Sequence, residues 1–375
     1  MRFCHFLLIE KIQINWNYKD KVSMNKIFTI FFFLTFLVGI SSYAQEISIK
    51  TSGAPKKAIL LELQGEKTRE IDPVISQNGV FQFSLNDKHN GFYRLQFAHK
   101  HSSMQNKAHT SSIDFLNDGK DIEIKTDYRN LTDSLKVIKS ESNKLYYEFI
   151  KLNKEYKTKT GLFNVILQRY PKDDNYYETT LKKLKQLQLS YLKFINETSQ
   201  EEPNSFIARY IRSAQLPVVN ETLPFEEQLK YLKSHALDNV DFSDNELIYS
   251  NLFTNKSIEY LTYYRNPQLP KALLEKEFMI AVDTLLNKAK VNKLVYQHVT
   301  EYLINGFTKF GFNEIIDISF QGIKLHMFDG LSFCKLRNGL YLIGSRSNSI
   351  RVSREFNLDS KFSTFIVFGD SFTLN

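Results

Sequence analysis

Between residues 46 and 125, apolar and polar positions alternate in short runs divided by turn signals. Ala58-Ile59-Leu60-Leu61-Glu62-Leu63 is one run. Val80-Phe81-Gln82-Phe83-Ser84-Leu85 alternates strictly and follows Asn78-Gly79, a dipeptide that tolerates positive φ and predicts a tight hairpin turn. Phe92-Tyr93-Arg94-Leu95-Gln96-Phe97 alternates after Asn90-Gly91. Ile113-Asp114-Phe115-Leu116 and Asp121-Ile122-Glu123-Ile124-Lys125 flank Asn117-Asp118-Gly119-Lys120, which predicts a second hairpin. Six or seven short strands at this spacing predict a small antiparallel sandwich or barrel.

Beyond Asp127 the period becomes helical. A stretch opening at Leu131-Thr132-Asp133 and running to Lys159 places Leu145, Phe149, Leu152 and Tyr156 three and four residues apart, with Lys and Glu between them. Further helices are predicted over 176–198, 202–215, 225–234, 245–264, 270–288 and 292–310, and no recurring motif marks them as a solenoid. After Asp317 the pattern loses regularity. It returns to β character at Phe356-Asn357-Leu358 and over 362–368. The fold class expected is α+β. Its parts are a leader over 1–44, a β domain over 45–127, an all-α domain over 128–317 and a separate region over 318–375.

The leader has its own logic. Met24-Asn25-Lys26 precedes 14 residues, 27–40, without a charge, and Ser42-Tyr43-Ala44 follows. A cationic start, an apolar stretch too short for a bilayer span and a small-residue exit read as a secretory signal peptide. Gln45 is then the expected mature N-terminus and Met24 the expected true start. Composition fits an ordinary globular protein, with 42% hydrophobic and 24% charged residues. The formal charge of +8 falls to +5 without the leader. The two cysteines are Cys4, in the leader, and Cys334, in an apolar stretch read as buried, so the expected mature chain has no intramolecular disulfide.

The leader, the β pattern around Asn78-Gly79-Val80-Phe81-Gln82-Phe83 and Gly91-Phe92-Tyr93-Arg94-Leu95, and the stretch Ser140-Glu141-Ser142-Asn143-Lys144-Leu145-Tyr146-Tyr147 resemble exported thiol:disulfide interchange proteins of the TlpA type. In that Gram-negative family an accessory β domain and a helical segment precede a C-terminal thioredoxin-like domain. The segment Ile343-Gly344-Ser345-Arg346-Ser347-Asn348-Ser349-Ile350 is similar to the Ile-Gly-x-x-Ala-Pro-x-Ile opening of such domains, with Ser347 and Asn348 in place of Ala and Pro. Residues 362–371 look like the strand that delivers the redox motif. On that pattern Thr373 stands where the first cysteine belongs. A threonine supplies no thiolate, so the family chemistry is carried onto no residue, and the C-terminal region is expected to be a degenerate, truncated start of a thioredoxin-like fold.

Other candidate sites reduce to structural readings. Phe368-Gly369-Asp370-Ser371-Phe372 resembles the nucleophile block of Gly-Asp-Ser esterases, without the downstream Asp and His that a triad draws on, and pairing it with His326 has no support in spacing. His99, His101 and His109 could share one face of a metal site, but no Cys, Asp or Glu joins them in that loop, which reads as a polar hairpin loop. His235 and His298 sit singly in helices and read as surface or core-edge residues. Lys182-Lys183-Leu184-Lys185 and the lysines over 151–159 read as solvated helix faces, with contact to anionic envelope polymers as the other option. No catalytic, cofactor-binding or metal-ligating residue is therefore assigned, and no cofactor is expected. Envelope proteins or glycans are the partner classes considered. Nucleic acid is excluded by export, and no stable membrane span is expected after signal cleavage.

Two functional expectations follow. One is an exported envelope protein of the thioredoxin-like family, redox-inactive for want of a Cys-x-x-Cys motif; the other is a non-enzymatic envelope binding or scaffold module acting through the β domain.

Overall fold

A computed structural model of the protein describes residues 45–97, 111–220, 222–320, 331–335 and 341–345. Eight strands come first: β1 (Ile47–Ser52), β2 (Lys57–Gln64), β3 (Lys67–Ile75), β4 (Val80–Phe83), β5 (Gly91–Phe97), β6 (Ser112–Asn117), β7 (Ile122–Asp127) and β8 (Lys136–Lys139). They form two four-stranded sheets, ordered β4-β1-β7-β8 and β3-β2-β5-β6. The helices follow as α1 (Glu141–Arg169), α2 (Asn175–Glu201), α3 (Phe206–Ala214), α4 (Phe225–His235), α5 (Leu252–Thr262), α6 (Lys271–Ala289), α7 (Lys293–Lys309) and α8 (Asn313–Ser319). A 3-10 turn, Asn245–Tyr249, precedes α5. An antiparallel pair, β9 (Leu331–Lys335) and β10 (Tyr341–Ser345), sets Cys334 opposite Leu342. The fold class is α+β, as the change of period at Asp127 indicates. Residues from Glu46 onward make one compact unit.

Ile47 and Ile49 of β1, Phe81 of β4 and Ile122 and Ile124 of β7 meet Leu60, Tyr93, Leu95, Ile113 and Phe115 of the second sheet in one apolar core. The second sheet is buried on its other face too. Leu63, Phe92 and Leu116 point away from that core and join the large apolar core of the helices. This explains why the β2 run does not alternate cleanly: a strand covered on both faces needs apolar residues at successive positions.

Several predicted turns are present but lead elsewhere. Asn78 and Gly79 take positive φ, 52° and 78°, and close the expected tight turn between Gln77 and Val80. The strand after it does not run back along β3; β4 crosses to pair with β1 of the other sheet. The hairpin expected across Asn117-Asp118-Gly119-Lys120 does not form either. There β6 stays beside β5, while β7 passes to the other sheet and lies parallel to β1, the single parallel pairing among the described strands. The crossing lets Phe115 and Ile122 enter the same core from opposite sheets. Nor does the first helix open at Leu131. Residues 136–139 form β8 against β7, and α1 begins behind Ser140, whose Oγ accepts the Asn143 N–H at 3.2 Å.

The seam between β6 and α1 is closed by that same turn of helix. Asn143, fully buried, accepts the Leu116 N–H at 2.8 Å and donates to the Leu116 carbonyl at 2.8 Å, acting as a strand partner for the edge of β6. Its amide also donates to Ser140 Oγ at 2.9 Å. Ser142 donates to Asp118 at 2.6 Å, and Tyr147 donates to the Asp114 carbonyl. Beneath these bonds Phe92 packs against Tyr146, Phe206 and Tyr210, with ring centroids 4.6, 6.0 and 5.2 Å away.

Candidate functional site

The second place where sheet and helices meet is polar. Strands β2 and β3 are joined through Gly65 and Glu66, with positive φ (63°) at Gly65. Their register sets Glu62 opposite Arg69 and Gln64 opposite Lys67, so the hairpin presents four polar side chains on one face. Facing them, Leu294, His298 and Glu301 recur at helical spacing along α7. Tyr249, at the end of the 3-10 turn, and His89, in the loop before β5, complete a cleft of about 520 Å³.

Each carboxylate in the cleft is buried and paired with a cation, Arg69 or Lys67. Glu62 accepts from Arg69 Nε at 2.6 Å and also pairs with His89 Nε2. Glu301 pairs with Lys67. The His89 ring stacks on Tyr249 with centroids 3.6 Å apart. That stack depends on Gly91, where a Cβ would lie 2.7 Å from Tyr249 Cβ. The His89 carbonyl accepts from Tyr93 Oη at 3.0 Å and Asn117 Nδ2 at 3.3 Å, which fixes the loop. Burial, with a smaller contribution from Glu62, raises the Tyr93 phenol far above its usual range, so it stays a neutral donor.

His298 forms the floor. Its Nε2 is shielded from solvent and, among the described residues, has no hydrogen-bond partner, and the same holds for Thr254 Oγ1. Both abut Gly65: a Cβ there would lie 2.7 Å from Nε2 and 2.9 Å from Oγ1. Burial first, and the Lys67 ammonium second, push the His298 imidazole down to about 4, so it is neutral at physiological pH. The cleft thus offers donors and acceptors of both signs around an aromatic stack, and among the described residues no serine or cysteine lines it.

Of the residues singled out by sequence, His298 lines the cleft, whereas His235 is exposed and bonded to Asp238 at 2.8 Å. Lys182, Lys183 and Lys185 and the four lysines over 151–159 are exposed on α2 and α1, as expected of solvated faces. His99, His101, His109, His326, Ser371, Thr373, Cys4 and the leader lie outside the described residues, as does the side chain of Cys334. Among the described residues no group of three metal-ligating side chains occurs, and no helix is long and apolar enough to cross a membrane. Glu62, Arg69, His89, Tyr249 and Glu301 were not legible as a site, because they come from four separate segments. The available signals were the Gly65-Glu66 turn inside a polar stretch and the four-residue spacing of Leu294, His298 and, three further on, Glu301. No family model matches the chain, and no curated protein or solved structure matches it.

Proposed function

We propose that the protein is an exported cell-envelope relative of the TlpA-type thiol:disulfide interchange proteins, without thiol exchange of its own, in which the β unit and the helices act as one rigid binding module. The observation that supports this reading is the seam at α1. The stretch Ser140-Glu141-Ser142-Asn143-Lys144-Leu145-Tyr146-Tyr147, which resembles that family, is the stretch that fastens the helices to β6. Residues that hold two modules together account for such a pattern without any catalytic side chain. Thiol exchange needs a nucleophilic and a resolving thiol, and the sequence carries Cys4 and Cys334 without a Cys-x-x-Cys pair.

A reductase assay tests the redox part of the proposal. Insulin reduction with dithiothreitol is expected to run no faster with the protein than with a matched inert control. Turnover that follows protein concentration would overturn it. Fractionation tests the location: recovery in the envelope with an intact mass starting at Gln45 is expected, and a cytoplasmic chain retaining Met24 would refute export.

The cleft favours the second reading, a non-enzymatic binding module. Calorimetric titration with soluble glycan fragments should give heat that is lost in Arg69→Ala. The absence of heat with every fragment would remove glycans as its ligand.

A further inference from the structure

The two lysine-rich stretches noted in the sequence belong to one helical hairpin, α1 and α2. Its inner part is anchored: Tyr146, Phe149 and Tyr156 of α1 and Tyr191 and Ile195 of α2 belong to the main helical core. The outer part packs on a separate small cluster of Leu167, Tyr177 and Leu184, backed by Phe163 and Leu181. Beyond Tyr156 the hairpin is therefore an arm held by its own contacts, roughly 20 Å long at 1.5 Å per helical residue.

The outer face of α1 is patterned. Lys151, Lys154, Thr158, Leu162, Val165 and Arg169 are spaced by three or four residues, which puts them in one stripe, and all six are exposed. Leu162 and Val165, 62% and 50% exposed, occupy its middle, with cations at both ends. Three residues apart on one helix face, the two side chains adjoin and form a single apolar spot between the cations. Tyr170 and Tyr176, edge to face at 5.2 Å, stand exposed where the hairpin turns. Residues 151–185 hold nine cations and four acids, an excess of +5 that equals the whole excess of the chain from Gln45 onward. Three of the acids, Asp173, Asp174 and Glu178, lie at the turn, and Asp174 is engaged in capping α2. The cationic surface is thus the side of the arm rather than its tip.

We propose that this face of α1, from Lys151 and Lys154 on the anchored part to Arg169 on the arm, docks side-on against an anionic lipid surface, with Leu162 and Val165 entering the headgroup boundary and the flanking cations meeting lipid phosphates. Charge complementarity selects the anionic surface, and the aliphatic pair selects lipid over a soluble polyanion, which offers nothing apolar to receive it. Tyr170 and Tyr176 supply rings of the amphipathic kind that settle at a membrane interface. The proposal is independent of the redox and glycan readings above.

Co-sedimentation of the body from Glu46 onward, which forms its own compact unit, tests it. The vesicles are phosphatidylcholine alone and phosphatidylcholine mixed with phosphatidylglycerol. Partition into the mixed vesicles is expected to be about tenfold stronger, and to weaken as salt rises. The double variant Leu162→Asn with Val165→Asn keeps every charge and should lose about tenfold of that binding. Lys151→Gln with Lys154→Gln should weaken it and flatten its salt dependence. Leu273→Asn, which removes a comparably exposed aliphatic on α6, should change nothing. All variants should keep the parent's far-UV circular dichroism and Tm, since the altered side chains are exposed. Equal partition into both kinds of vesicle, or undiminished binding by the Leu162 and Val165 double variant, would overturn the proposal.

Discussion

Two seams join the sheets to the helices, and they differ in how fully their polar groups are paired. At the first, Asn143 places all of its amide atoms against Leu116 and Ser140, and aromatic rings close the space beneath. At the second, buried carboxylates are paired, yet among the described residues His298 Nε2, on a ring that lines the cleft, and Thr254 Oγ1, against Gly65, have no partner. Unpaired buried polar atoms are costly, so a fold optimised for stability alone has no reason to keep them. The comparison separates a joint whose polar groups are fully paired from a joint that keeps unspent hydrogen-bonding capacity.

Asn143→Ala should give the largest effect, because it strands the N–H and carbonyl of Leu116 in a buried site. A loss of about 3 to 5 kcal/mol is expected, read as a lower urea midpoint at unchanged m value. A loss below about 1 kcal/mol would show that the first seam does not depend on this pairing.

His298 should make the second seam sensitive to acid. Its folded-state pKa of about 4 lies below the ordinary 6.5, so between these values the unfolded chain binds the proton and the folded protein does not. Stability is therefore level above pH 6.5, falls as pH drops from 6.5 towards 4, and levels off below. About 2 to 3 kcal/mol should be lost over that window. Carboxylates titrate at its lower end, so the measure is the difference between parent and His298→Gln denaturation curves at each pH. Parallel curves would sink the assignment.

Gly65→Ala tests the closeness of the second seam. It forces a side chain onto a positive φ and against the His298 ring, and should cost about 1 to 2 kcal/mol. Lys67→Met leaves the buried Glu301 carboxylate without its cation and should likewise cost about 1 to 2 kcal/mol at neutral pH, less than a fully enclosed pair would because Lys67 itself is partly solvated. Removing the ammonium should also raise the His298 pKa, because Lys67 is one of the two influences that lower it. An NMR titration of the imidazole would show an unchanged or lower value if the two groups do not communicate.

Much of the architecture was readable in the chain, and the failures have physical causes. The change from period two to period 3.6 near Asp127 separated strands from helices, because each side chain had one face to satisfy. The β3 strand was not picked out: Lys67-Thr68-Arg69-Glu70 and Pro73 show no apolar alternation, although an edge strand tolerates both charge and proline. Turn chemistry located Asn78-Gly79 and Asn117-Asp118-Gly119-Lys120 correctly but not the sheets they connect, since partner choice depends on which core receives Phe115 and Ile122. The cleft was the least legible part. Glu62 and Arg69 are seven residues apart on adjacent strands, but His89, Tyr249 and His298 reach them only through the tertiary fold.

The parallel pairing of β1 with β7 has a consequence for the order of assembly. Ile47 lies beside Ile122, and β4 occupies the other side of β1, so the first of the described strands is central in its sheet. Any route that delivers the chain amino end first releases β1 long before its second neighbour exists. Closing that long loop carries an entropic cost, and such non-local pairing is slow. Until residue 127 has emerged, Ile47 and Ile49 remain on a strand with an unsatisfied edge. That interval is the one in which the chain is most exposed to aggregation.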